Sequence, residues 1–236
     1  MTTKRVVQGL IVAVALCLGA TAGRAQNNRV FLLGSGSSFM DNRSFTEGFV
    51  PYSTTYANGG GGIVGIEVPL KKSKTFGVEL SYGLSQNNLK LANDAYTYKP
   101  VTAYALRNNR VSLDLVLHAP GTYHGTHPYL VFGLEYNDFS PTSAATTLGT
   151  KIGFAFEPTA KFSSQGSGGA NLGGGLDHNL TARLGLRLDI RAHFTGSPTF
   201  GLPTTEPSTA GLAWFPATGN AHNIVYSIGI VYKFGK

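Results

Sequence analysis

The chain has 236 residues, of which 42% are hydrophobic, 13% are charged and 31 are glycine, a composition typical of strands and turns. Its formal net charge is +7, but the basic residues are dispersed singly, so the sequence lacks the basic patch that nucleic-acid binding requires. The one cysteine, Cys17, lies near the start, which excludes disulfides and thiol chemistry from the rest of the chain.

The first residues have the pattern of a secretory signal peptide. Lys4 and Arg5 precede an apolar run that is shorter than the roughly 20 residues of a spanning helix, and small residues follow it. We predict a signal peptide over residues 1–25, with cleavage after Ala25 and cleavage after Ala22 as the alternative.

The remaining residues, 26–236, are predicted to form one domain. Removing the three basic residues of the signal peptide leaves 16 basic and 12 acidic residues, a formal net charge of +4. The length suits one all-β domain or two small ones, and we predict one.

Along this domain, apolar and polar side chains alternate at the period of two that is typical of β-strands. In chain order the predicted strands are residues 28–39, 59–70, 76–85, 110–118, 128–138, 169–177, 184–194 and 224–234. The pattern is clearest in residues 184–194, where even positions are apolar and odd positions are Gly, Arg, Asp or His. On a helix these apolar side chains would spread around the axis, so the pattern favours a strand. In the first strand Phe31 and Leu32 are adjacent, which leaves its two faces unassigned.

The connections between these strands alternate between short and long. The short ones are residues 71–75, 119–127 and 178–183, and the long ones are residues 40–58, 86–103, 139–168 and 196–221. Within the third long connection, residues 151–157 are expected to extend a neighbouring strand. An even number of strands with short turns at one end and long loops at the other is typical of an antiparallel barrel in a membrane. Eleven tilted residues also suffice to cross an apolar band of about 25 Å.

Alternation alone also fits a soluble barrel with its apolar face inside. The polar face, however, mixes charges of both signs with many glycines, and glycine weakens a strand unless something closely approaches the backbone. A crowded interior needs such small residues beside large charged ones, and eight strands enclose a space that side chains can fill. We therefore predict a luminal ion-pair network that consists of Glu67, Glu79, Arg110, Asp114, Glu135, Arg187, Asp189 and Arg191. Its expected role is structural, and the alternative is that it gates a narrow pore.

Three stretches resemble one family. The strand-turn-strand of residues 173–191, the Pro128-Tyr129 opening of the fifth strand and the closing residues 226–234 resemble small single-domain outer-membrane β-barrels related to the transmembrane domain of outer membrane protein A. The resemblance implies an all-β fold, an eight-stranded antiparallel transmembrane up-and-down β-barrel with long external loops. It also implies a monomer in the outer membrane of a diderm bacterium, surrounded by lipid, with both termini in the periplasm. The barrel assembly machinery would read its C-terminal strand, including Phe234.

Aromatic residues near the ends of the strands form two sets. Near the loop side are Tyr82, Tyr136 and Phe194, and near the turn side are Phe76, Tyr232 and Phe234. Two aromatic belts at opposite ends of the same strands are typical of the two membrane interfaces, so we predict an aromatic girdle.

The sequence predicts no metal site, cofactor or catalytic residue. His118, His124 and His127 cluster around one turn, but their spacing matches no specific zinc pattern. Some outer-membrane barrels modify lipid A with Ser, His and a carboxylate, yet nothing in this sequence places a nucleophile beside a base. We predict a structural or surface-interaction role through the long loops, whose ligand the sequence does not name. A lipid-modifying enzyme and a small narrow channel are the alternatives.

Overall fold

A computed structural model of the chain describes residues 28–40, 42–47, 50–70, 75–93, 101–121, 123–142, 163–201 and 220–234. In these residues ten strands follow one another: β1 (Asn28–Phe39), β2 (Asn42–Glu47), β3 (Val50–Tyr56), β4 (Gly59–Pro69), β5 (Phe76–Asn93), β6 (Val101–His118), β7 (Thr126–Pro141), β8 (Gln165–Asn179), β9 (Leu184–Gly196) and β10 (Asn220–Phe234). None of the described residues forms a helix long and apolar enough to cross a membrane.

Eight of these strands close into an antiparallel barrel, as predicted. Their order around the barrel is β1, β4, β5, β6, β7, β8, β9, β10 and back to β1. The first and last strands close the barrel, because β1 pairs with β10 over its whole length, from Asn28 opposite Phe234 to Phe39 opposite Asn223. The barrel places β9 directly opposite β5, which matters for the side chains that meet inside it.

Two of the predicted long loops are partly strand, so the prediction of loops at residues 40–58 and 86–103 is wrong there. Residues 40–58 contain the β2–β3 hairpin, and β3 pairs with the far end of β5 from Tyr52 opposite Asn93. In residues 86–103, β5 continues to Asn93 and pairs with β6 as far as Ala92 opposite Val101. These segments lie beyond the stretches in which apolar and polar residues clearly alternate, so the alternation did not predict them as strands. The predicted turn at 71–74 and the predicted extension at 151–157 lie outside the described residues.

Large apolar side chains cover the outside of the barrel. On β9, Leu188 is 48% exposed and points outward, whereas the preceding residue, Arg187, is 0% exposed. The same outward exposure recurs around the barrel at Leu32, Val64, Leu113, Leu130, Phe132, Leu134, Leu172, Leu176, Leu186, Ile190, Ile228 and Ile230. In β1, where the sequence left both faces open, Phe31 and Leu33 are buried inside and Leu32 faces out. A belt of this kind matches the hydrocarbon of a bilayer.

Glycine makes room for the side chains inside the barrel. A methyl group at Gly175 would lie 2.0 Å from the carbonyl oxygen of Leu188 and 2.6 Å from the hydroxyl oxygen of Tyr129. A methyl group at Gly65 would lie 2.3 Å from the ring of Phe31. Since real contacts are never this short, the two aromatic rings occupy space that only glycine leaves free.

Candidate functional site

Arg187 lies at the centre of the barrel interior, where it binds three carboxylates from three other strands. Its Nη1 donates to Oε2 of Glu79 at 2.9 Å, and its Nη2 donates to Oε2 of Glu67 at 2.8 Å. Its Nε donates to Oδ1 of Asp177 at 2.8 Å and its Nη2 to Oδ2 of the same residue at 3.0 Å. The side chain therefore connects β9 with β8 beside it and with β4 and β5 across the lumen.

Arg191 lies four residues further along β9, toward the loop side, and forms a second clamp. It donates to Oδ2 of Asp114 at 2.8 Å, to Oε1 of Glu79 at 2.7 Å and to Oδ1 of Asp189 at 2.9 Å. Glu79 thus bridges both arginines, one with each carboxylate oxygen. We call Arg187, Arg191 and the carboxylates that they bind the luminal ion-pair cluster.

Two aromatic rings contact the guanidinium of Arg187. The guanidinium carbon lies 4.7 Å from the ring centre of Phe31 and 4.8 Å from that of Tyr129. The Tyr129 hydroxyl also donates to Oδ2 of Asp189 at 2.6 Å, so the ring that flanks one clamp is tied to the other. Planar stacking and forked hydrogen bonding are the geometry for which arginine is suited, and lysine would provide neither.

Toward the loop side, a smaller group joins β7 and β9. Nδ1 of His193 lies 2.5 Å from Oε2 of Glu135, and Nδ2 of Asn137 donates to Oε1 of Glu135 at 2.9 Å. Arg110 is buried on neighbouring β6, yet it makes no hydrogen bond and no ion pair with any of the described residues.

Toward the turn side, His118 meets two members of the cluster. Glu67, His118 and Asp177 have potential ligand atoms within 4.8 Å of one another. The Nε2–H of His118 donates to Oε1 of Glu67 at 2.7 Å, and Arg29 donates to Oδ2 of Asp177 at 3.0 Å. Since Arg187 binds both carboxylates as well, this group is neutralised by protein cations, and we assign no metal to it.

The structure brings seven of the eight predicted luminal residues into hydrogen-bonded groups and leaves Arg110 apart. All eight are buried: Glu67, Glu79, Arg110, Asp114, Glu135, Arg187, Asp189 and Arg191. The predicted network did not include six residues that take part in these contacts: Arg29, Phe31, His118, Tyr129, Asp177 and His193. Strand parity already placed His118, Tyr129, Asp177 and His193 on the polar face, so that signal was available for them. For Phe31 no such signal exists, because an apolar side chain inside the lumen breaks the alternation.

The histidines of the predicted turn cluster have separate surroundings. His124 is exposed, with a positive φ of 48°, and its ring lies against that of Tyr123 at 4.4 Å between centres. Nε2 of His127 accepts a hydrogen bond from Nδ2 of Asn179 at 3.0 Å, and His118 points into the lumen.

Four of the six predicted girdle residues lie at or near strand ends, whereas Tyr82 and Tyr136 lie further inside β5 and β7, which continue to Asn93 and Pro141. Phe76, Tyr136, Phe194 and Tyr232 are exposed, whereas Tyr82 and Phe234 are partly buried. On the loop side, Tyr82 and Tyr136 flank Val111 at one level of the β5–β6–β7 ladder. The hydroxyl of Tyr82 donates to Oδ1 of Asn109 at 3.0 Å.

A closed eight-stranded barrel with an apolar belt outside and paired charges inside defines an integral membrane β-barrel. Residues 10–234 match the family model described as the outer membrane protein beta-barrel domain. The chain belongs to this family and is an outer-membrane β-barrel protein.

Solved structures with the same fold have distant sequences. Neisserial surface protein A is similar with a TM-score of 0.53 at 14% identity, over 88% of this chain and 97% of that chain. The outer membrane protein AlkL is similar with a TM-score of 0.51 at 12% identity, over 90% of this chain and 92% of that chain. No curated protein matches the sequence. At these identities the likeness concerns the fold alone.

Proposed function

We propose that this protein is a non-conducting structural barrel whose loop-side strands present an interaction surface outside the cell. The observation that carries the proposal is the luminal ion-pair cluster. Arg187 and Glu79 lie on opposite strands of the barrel and are joined at 2.9 Å, so the charged groups occupy the middle of the lumen. A buried network in which each carboxylate binds an arginine favours a fixed, filled interior over an aqueous pore.

The surface is supplied by strands that continue beyond the barrel. Beyond Ser85 opposite Asn108, β5 and β6 remain paired as far as Ala92 opposite Val101. The β2–β3 hairpin adds to the outer edge of β5. We call β2, β3 and these ends of β5 and β6 the loop-side blade. The described turn side, by contrast, has short connections such as residues 180–183, so an external partner would meet the blade first.

Conductance in planar bilayers tests the filled lumen. We expect no stable single-channel steps from the wild-type protein, and discrete openings from an Arg187→Ser/Arg191→Ser double variant, which removes both clamps. The double variant is the positive control for insertion. Stable steps from the wild-type protein would refute the non-conducting barrel and favour the narrow channel.

Shortening the blade tests the surface role. Replacing residues 91–102 by Asn-Gly joins Lys90 to Ala103, which face each other in the ladder, through a favoured two-residue turn. Cells that carry this variant should keep a heat-modifiable barrel but lose adhesion to immobilised glycans and matrix proteins. Tyr123→Ala, in a turn-side loop, is the matched control and should adhere like wild type. Equal adhesion of all three would refute the surface role.

Mass analysis of lipid A separates this proposal from the enzyme alternative. We expect the same acyl composition in cells with and without the protein. A mass difference that depends on the protein would contradict a purely structural and adhesive role.

A further inference from the structure

Arg110 is the starting point, because its surroundings differ from those of the two clamping arginines. It is 8% exposed, and among the described residues it forms neither a hydrogen bond nor an ion pair. A guanidinium carries five N–H donors and one positive charge. No nitrogen of Arg110 is among the fully buried atoms without a partner, so the guanidinium opens onto accessible space. Glu135, on the neighbouring strand β7, is bound by His193 and Asn137 instead.

A small cavity lies beside Arg110 on the loop side of the luminal ion-pair cluster. Its volume is about 10 Å³, roughly the space in which one water-sized sphere is held. The polar side chains that line it are Ser35, Ser37, Ser85, Asn108 and Arg110. Gly83 belongs to the wall as well, and a methyl group there would lie 3.3 Å from Nη2 of Arg110, so glycine leaves the guanidinium its place.

The hydroxyl groups of this cavity include free donors. Oγ of Ser37 accepts a hydrogen bond from Nδ2 of Asn87 at 2.8 Å, which leaves its own O–H to point elsewhere. Ser35 makes no hydrogen bond with its side chain among the described residues, whereas Ser85 donates to Asn87. The positive charge of Arg110 and the hydroxyl groups of Ser35 and Ser37 therefore line one small pocket.

From this arrangement we propose that the cavity is a binding site for one monatomic anion of the size of chloride, held by Arg110 with Ser35 and Ser37. The anion supplies the counter-charge that no described carboxylate in contact provides, and it accepts from both hydroxyl groups. The competing occupant is a water molecule, which would also donate to Oδ1 of Asn108, an atom without a partner in the described structure.

Bromide identifies the site directly, because its anomalous scattering marks its position. Crystals of the full-length protein grown from sodium bromide should show an anomalous peak within hydrogen-bond distance of the Arg110 guanidinium. Wild-type crystals suffice for this measurement, so it does not depend on the folding of a variant. The absence of a peak there would overturn the proposal and leave water as the occupant.

Stability in detergent tests the same site in solution. The temperature at which the folded gel band disappears should be higher in sodium chloride than in sodium gluconate of equal ionic strength, because a ligand that binds only the folded state stabilises it. Arg110→Met should abolish this difference, and Ser35→Ala should weaken chloride binding several-fold while Arg110 stays in place. Arg107→Met, an exposed arginine three residues away on β6, is the matched control. A difference that persists in Arg110→Met would show a general salt effect and refute the site.

Discussion

Leu188→Arg tests whether the apolar face of the barrel lies in lipid. Leu188 points outward in the middle of β9, and at its level in the ladder it lies between Leu176 of β8 and Ile228 of β10. All three side chains are more than two-fifths exposed, so an arginine there would meet hydrocarbon and no protein partner. An arginine at the bilayer midplane costs about 2–4 kcal/mol, and the cost falls to about 0–1 kcal/mol near the interfaces.

The assay is equilibrium unfolding by denaturant in phospholipid vesicles, with the free energy of unfolding as the quantity compared. Leu180→Arg is the matched control, because Leu180 is equally exposed but lies in the turn between β8 and β9. We expect Leu188→Arg to lose about 2–4 kcal/mol and Leu180→Arg about 1 kcal/mol at most. Equal losses in the two variants would mean that β9 does not cross the bilayer with this face outward.

Two further substitutions test the interior. Arg187→Met should lower the free energy of unfolding by about 3–5 kcal/mol, since it removes the buried cation that three carboxylates share and leaves Glu79 to Arg191 and Asp177 to Arg29. Arg187→Lys should recover only part of the loss. The exposed Arg183→Met is the control, and a similar loss there would contradict a special role of Arg187. Gly175→Ala should cost about 1–3 kcal/mol in the same assay, because the new methyl group meets the Leu188 carbonyl and the Tyr129 hydroxyl. Gly168→Ala, on the same strand with nothing within 4 Å, should be neutral, and equal behaviour of the two glycines would refute the close packing.

The luminal ion-pair cluster also explains why one residue type dominates its centre. Position 187 requires a planar cation that contacts the rings of Phe31 and Tyr129 and also donates forked hydrogen bonds to three carboxylates. A hydrophobic replacement for one partner leaves charges buried without compensation, so the members are expected to tolerate substitution only together. The cluster thus ties β9 to strands on the far side of the barrel, in addition to the backbone ladder around the wall.

The sequence determined the strands that cross the predicted membrane band, because water-like and lipid-like surroundings on opposite faces impose a period of two. In residues 184–194 that period also determined which side chains face in, and the structure follows the same parity, with Arg187 inside and Leu188 outside. The family resemblance then turned an ambiguous alternation into an outer-membrane barrel.

The tertiary structure determines the features that the alternation of apolar and polar residues does not predict. The far ends of β5 and β6 and the β2–β3 hairpin lie outside the stretches in which the alternation was clear, so their pairing is known only from the ladder. The two faces of β1 were settled by Phe31, which leaves the usual pattern to stack on Arg187. Which carboxylate meets which arginine depends on the closure that sets β9 opposite β5, and that closure joins residues about a hundred positions apart. Pairing across a lumen is a property of the closed barrel, and no local pattern of residues encodes it.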